Sequence, residues 1–79
     1  MINDYLFAEV NIEIDRQNAL WGVQNYTPEF WLSILMEEVG EVAKEINDGL
    51  SVNNSNYRTE LVQVMSVVAQ MIAHYDRTS

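Results

Sequence analysis

The chain has 79 residues, a net charge of −8 and no cysteine, and 48% of it is hydrophobic. That length predicts one domain with a small core, and the missing cysteines exclude disulfides and thiolate metal sites, so the expected stabiliser is self-association. The acidic balance argues against nucleic acid and against an anionic membrane surface as partners, since both need clustered Lys and Arg.

The first helix is predicted from about Asp4, a plausible N-cap, to about Ala19. Phe7, Val10, Ile14 and Trp21 follow one helical stripe, and Tyr5, Ala8 and Ile12 a second. The alternation Val10, Ile12, Ile14 also fits a strand. The acids in "MINDYLFAEV" do not suit a signal peptide, and no segment is long and apolar enough to span a bilayer, so a cytoplasmic protein is expected. "WGVQNYTPEF" breaks the pattern. Gly22 permits a turn, and Thr27-Pro28 reads as an N-cap followed by proline at the first helical position.

Helix two is predicted from there to about Asp48, with Gly49 as its stop. Leu32, Leu35, Met36, Val39, Val42, Ala43 and Ile46 form its apolar face. Glu38, Glu41, Glu45 and Asp48 step by three, four and three residues along the other. Like charges four apart, as in Glu37 with Glu41, repel. Such a run is either a solvated face or the wall of a cation site.

"SVNNSN" reads as loop, and helix three follows from about Ser55 or Asn56 to Tyr75. Leu61, Val62, Val64, Met65, Val67, Val68, Met71 and Ile72 make it apolar almost all round. A helix of that kind is buried on several sides, which three short helices cannot achieve without a partner subunit. One polar line interrupts it: Glu60, Gln63, Gln70 and His74, with Val67 in register. If it faces the acidic line of helix two, Glu38, Glu41, Glu60 and Gln63 converge. Three carboxylates at close range repel, and a hard divalent cation removes the repulsion. An oxygen-only set favours Mg²⁺ or Mn²⁺. Trp31, Met36, Met65 and Met71 read as core or interface residues, and His74 as a surface residue near a helix C-terminus.

The acidic spacing resembles the signature of the MazG-like all-α nucleoside triphosphate pyrophosphohydrolases, EExxE followed after a spacer by ExxD. Here it reads Glu37-Glu38-Val39-Gly40-Glu41, eighteen residues, then Glu60-Leu61-Val62-Gln63. "RQNALWGVQ", "WLSILMEEVGEVAKEI" and "YRTELVQV" look like the small phage-type members, and the likeness runs over about residues 15 to 70. Gln63 stands where the family has aspartate, and its carbonyl ligates without charge.

The resemblance implies a single MazG-like domain over residues 1–79, all-α, with three helices per chain and a four-helix core completed in a homodimer or homotetramer. It also implies hydrolysis of a nucleoside triphosphate (ribo or deoxy) to the monophosphate and pyrophosphate. Glu38, Glu41, Glu60 and Gln63 would be ligands of Mg²⁺, with Mn²⁺ as a substitute. Glu37 and Glu38 would be catalytic, Glu37 as base or as a group behind the ligands. Lys44 and Arg58 would neutralise the leaving pyrophosphate, although Lys44 can also pair along its own helix. The resemblance places a nucleoside pocket near Gln17, Asn18, Trp21 and Gln24, where an indole face can stack on a base and amides can read its edge. Core packing is the alternative role for Trp21. Gln63 favours the other functional class, a non-catalytic helical module that oligomerises or senses a nucleotide.

Overall fold

The computed structural model describes residues 3–49 and 56–79. Within them are three α-helices and no strand: α1 (Asp4–Trp21), α2 (Pro28–Asn47) and α3 (Tyr57–Thr78). The strand alternative for residues 10–14 is therefore excluded, and most of the predicted loop, residues 51–55, lies outside the described residues.

Each boundary has a local cause. Asn3, not Asp4, caps α1: its backbone is extended, and its side-chain oxygen accepts from the Leu6 N–H at 2.8 Å. Asp4 falls instead in the first turn, where the helix dipole favours an acid. The helix runs two residues past the predicted Ala19, until Gly22 takes φ 76° and its N–H donates to the Asn18 carbonyl at 2.7 Å. Thr27 accepts from the Phe30 N–H at 3.2 Å, and Pro28 opens α2 where no donor is needed. Gly49, at φ 84°, follows its end. Asn56 precedes α3, which continues past Tyr75 to Thr78.

The central element is α3, which packs against both α1 and α2. Side-chain bonds from Arg58 to Glu9, Gln70 to Gln17 and Arg77 to Asn25 advance along both partners together, so α1 and α3 run parallel. The Trp31 ring lies 6.4 Å from His74, whereas Glu45 acts on Glu60, so α2 runs antiparallel to α3.

Val10, Trp31, Val62 and Val67 form the buried apolar core, with Ser66 buried beside them and donating to the Val62 carbonyl at 2.8 Å. Tyr26 stacks edge-on against Trp31 at 5.2 Å between centroids. The expectation for α3 is met in part. Val62, Ser66 and Val67 are buried, but Leu61, Val68 and Ile72 stay exposed.

The faces of α2 depart from the sequence reading. Its inward side carries Trp31, Ile34, Leu35, Glu38, Val42 and Glu45. Leu32, Met36, Val39, Ala43 and Ile46, assigned to one apolar face with Leu35 and Val42, are exposed. The acidic line splits likewise: Glu38 and Glu45 turn inward, while Glu41 and Asp48 stay outside. A helix with apolar residues on more than half its circumference cannot bury them all against one neighbour.

Candidate functional site

Only part of the two polar lines is turned inward. Glu38 and Glu45 are half-buried on α2, and Glu60, Gln63, Gln70 and His74 are half-buried on α3. Burial raises the Glu38 carboxyl above its ordinary value, and Glu60, Glu41, Glu37 and Glu13 each push it further. Burial likewise raises Glu60, with Glu41 and Glu45 adding repulsion and Lys44 opposing it. Carboxylates from two distant segments thus act on one another across the α2–α3 interface.

Glu13 of α1 also bears on Glu38 and was absent from the sequence reading. Its signal was available, because Leu6, Val10, Glu13 and Gln17 step by four, three and four along the half-buried to buried side of α1. Glu13 accepts from Arg16 Nε at 3.0 Å, Arg16 Nη2 at 2.8 Å and Gln17 Nε2 at 2.7 Å. The Arg16 bond outweighs burial and holds the Glu13 carboxyl below its ordinary value.

Among the described residues no three His, Asp or Glu side chains stand close enough to hold a metal ion as they are placed. Mutual repulsion with little counter-charge favours rotamers that splay such groups apart. The donor set is nonetheless chemically suited to a hard divalent cation: carboxylates only, on facing helices, with Lys44 as the one cation acting on Glu60.

Glu37 is exposed and adds to the repulsion on Glu38. Gln63 lines a groove of about 170 Å³ with Glu9, Ile12, Glu13, Thr59 and Val62, which places it beside α1. Arg58 is held by Glu9 in a two-pronged pair, at 2.5 and 2.9 Å.

Gln17, Trp21 and Gln24 come together as expected for a pocket. They line a cavity of about 250 Å³ with Tyr26, Trp31, Ile34, Val67 and Gln70. Trp21 is largely exposed, whereas Trp31 is buried as expected. Asn18 lines an adjoining space of about 90 Å³ with Gln24, Trp31, Gln70 and Arg77. His74 differs from its surface assignment: it is half-buried and helps line an apolar cavity of about 300 Å³ with Pro28, Trp31, Met71, Tyr75 and Thr78.

A hydrogen-bonded chain runs from the 250 Å³ cavity to Glu13, whose charge acts on Glu38. Gln70 Nε2 donates to Gln17 Oε1 at 2.7 Å, and Gln17 donates to Glu13. Gln70 was read as part of a polar line, but its contact with Gln17 was not, because residues on different helices have no shared periodicity.

No family model, curated protein or solved structure matches this chain. Among the described residues no helix is long and apolar enough to cross a membrane.

Proposed function

We propose that the protein is a Mg²⁺-dependent nucleoside triphosphate pyrophosphohydrolase of the MazG-like type. The observation that carries this reading is the electrostatic coupling of Glu38, Glu41 and Glu60 across α2 and α3, next to a cavity lined by Gln17, Trp21 and Gln24. Glu38, Glu41 and Glu60 are the residues that would hold Mg²⁺ or Mn²⁺, with the Gln63 carbonyl as an uncharged contributor. When bound, the cation offsets phosphate charge and acidifies a water.

The remaining work falls to side chains of this chain. Glu37, one residue from Glu38 and open to solvent, accepts a proton from the attacking water. The water oxygen bonds to the α-phosphorus while the bond from that phosphorus to the α–β bridging oxygen breaks, leaving monophosphate and pyrophosphate. Lys44 offsets charge on the departing pyrophosphate, and Arg58 does so once released from Glu9. Trp21 stacks on the base. No glycine-rich phosphate cradle is present in the sequence, so charge carries phosphate recognition.

Pyrophosphate release with Mg²⁺ and a panel of triphosphates tests the proposal. Glu38→Gln is expected to lower the rate on the order of a hundredfold. An active wild type whose Glu38→Gln variant is equally active rules out the ligand assignment.

A second reading has its own support in Gln63 at the aspartate position and in carboxylates that are not gathered. In that reading the protein senses a nucleotide, or simply oligomerises, without turnover. Calorimetry with Mg²⁺ and a non-hydrolysable triphosphate separates the two, since binding without pyrophosphate release marks a sensor.

A further inference from the structure

We propose that Glu13 is a positioning residue for the nucleoside cavity: through the amide of Gln17 it holds the amide of Gln70 in one orientation. The proposal rests on the nucleotide reading above. Glu13 itself lines the separate groove of about 170 Å³, whereas Gln17 and Gln70 both line the 250 Å³ cavity. Any effect of Glu13 on a nucleoside in that cavity is therefore exerted through other side chains.

The link is a directed run of hydrogen bonds. Gln17 Nε2 donates to Glu13 Oε2 at 2.7 Å, and Gln17 Oε1 accepts from Gln70 Nε2 at 2.7 Å. Gln70 Nε2 also donates to the Ser66 backbone carbonyl at 3.2 Å. Both ends of the run only accept, one being an ionised carboxylate and the other a peptide carbonyl. Turning over one amide sets like atoms together between Gln17 and Gln70. Turning over both sets oxygen against oxygen at each end. The Ser66 end belongs to the backbone of α3, so Glu13 is the end that a side chain supplies.

Glu13 is itself held in place. Arg16 Nε and Nη2 donate to its two oxygens at 3.0 and 2.8 Å, and its side chain is only 15% exposed. The arginine keeps the carboxyl ionised, the state in which it can only accept. A charged acceptor makes a stronger hydrogen bond than a neutral one, so the Gln17 amide is firmly anchored. Glutamine side chains lose several rotamers when they are ordered. Amides set in advance by Glu13 spare the ligand that cost, which is how a residue outside the cavity raises affinity inside it.

The test is a binding cycle on the full chain by calorimetry with Mg²⁺. The probes are the α,β-imido triphosphates of adenosine, guanosine, cytidine and uridine, the tightest being carried forward, and tripolyphosphate as a ligand without a nucleoside. Glu13→Gln keeps the shape but lets the position donate, and is expected to raise the nucleotide Kd roughly tenfold. The tripolyphosphate Kd is expected to stay as in the wild type. Removing a negative charge by itself favours an anionic ligand, so this loss has the opposite sign to a bare charge effect. Gln70→Ala is expected to lose a similar factor. The double variant should lose roughly tenfold again, not the roughly hundredfold of two independent sites. Glu13→Ala takes the same place in the cycle if Glu13→Gln does not fold. An unchanged nucleotide Kd in the Glu13 variant, an equal loss for tripolyphosphate, or the full product in the double variant overturns the inference. Each of these, with pyrophosphate still released by the wild type, leaves the proposed reaction standing. The expected cycle without pyrophosphate release does the reverse. A wild type that binds none of the four analogues overturns both.

Discussion

Two kinds of carboxylate occupy this protein, with opposite pH behaviour. Glu38 and Glu60 are raised above the ordinary value of 4.5, each by burial first and then by neighbouring acids. A raised group binds its proton more tightly when folded. Its contribution to stability is complete below about 4.5 and is lost as pH rises through the folded value. Glu9 and Glu13 are lowered by their arginines, so theirs is present above that value and lost as pH falls through the depressed one. Metal-free protein should therefore melt at a higher temperature near pH 5 than at pH 7. The Glu38→Gln/Glu60→Gln variant should flatten that slope and raise Tm at pH 7, which calorimetric scans across pH will check. Arg58 supplies a second prediction at this scale. Its pair with Glu9 competes with any phosphate, so Glu9→Gln should lower KM for the triphosphate by about twofold, as steady-state kinetics will report. Steps of three and four residues group Glu38 with Glu41 on α2 and Glu60 with Gln63 on α3, whereas the action of Glu60 on Glu38 depends on how the two helices pack. Glu13 obeys the same stepping on α1, in line with Leu6, Val10 and Gln17.

Each helix obeys local rules closely at its ends and less so along its faces. Thr27-Pro28 and Gly49 set α2 as read, because capping and positive φ depend on a few adjacent residues. Asn3 displaced Asp4 as cap of α1, because either residue can accept the N-terminal N–H groups and the backbone turn decides which does. Inside α2, Gly40 is the one position where the sequence disfavours the helix it forms. A Cβ added there would meet nothing within 4 Å. Gly40→Ala should therefore raise the unfolding free energy by about 1 kcal/mol in urea titrations. The faces are a different matter. Periodicity groups residues around a helix without saying which arc a neighbour will cover. Hence Leu32, Met36 and Val39 are exposed while Glu38 is half-buried.

At the scale of the molecule, α1 and α2 flank α3 in a body of 42 × 28 × 27 Å. Four apolar residues are buried among those described, whereas Leu32, Met36, Val39 and Ile46 on α2 and Leu61, Val68, Ile72 and Tyr75 on α3 are exposed. Each set runs at heptad-like spacing, the pattern by which helices pack in pairs. A second copy of the chain is one way to cover these stripes, and a homodimer or homotetramer is what the family resemblance implies. Ile72→Lys puts a charge on this surface, where Ile72 is 57% exposed. It should reduce the assembly to monomers in light scattering and lower Tm, with wild-type Tm rising with protein concentration. A wild type that scatters as a monomer at all concentrations would contradict this arrangement.

The sequence by itself determined the three helices, most of their caps, the stepped acids of α2 and the polar line of α3, because these depend on residues within a turn or two of each other. It also carried the likeness on which the proposed chemistry rests. Only the tertiary structure decided which arc of α2 faces α3, that Glu13 joins Glu38, and that Gln17 and Gln70 connect a cavity to the acids. Those relations join residues about 25 to 53 positions apart. Pairings at that distance are fixed by how three helices share one small core, which no local pattern encodes.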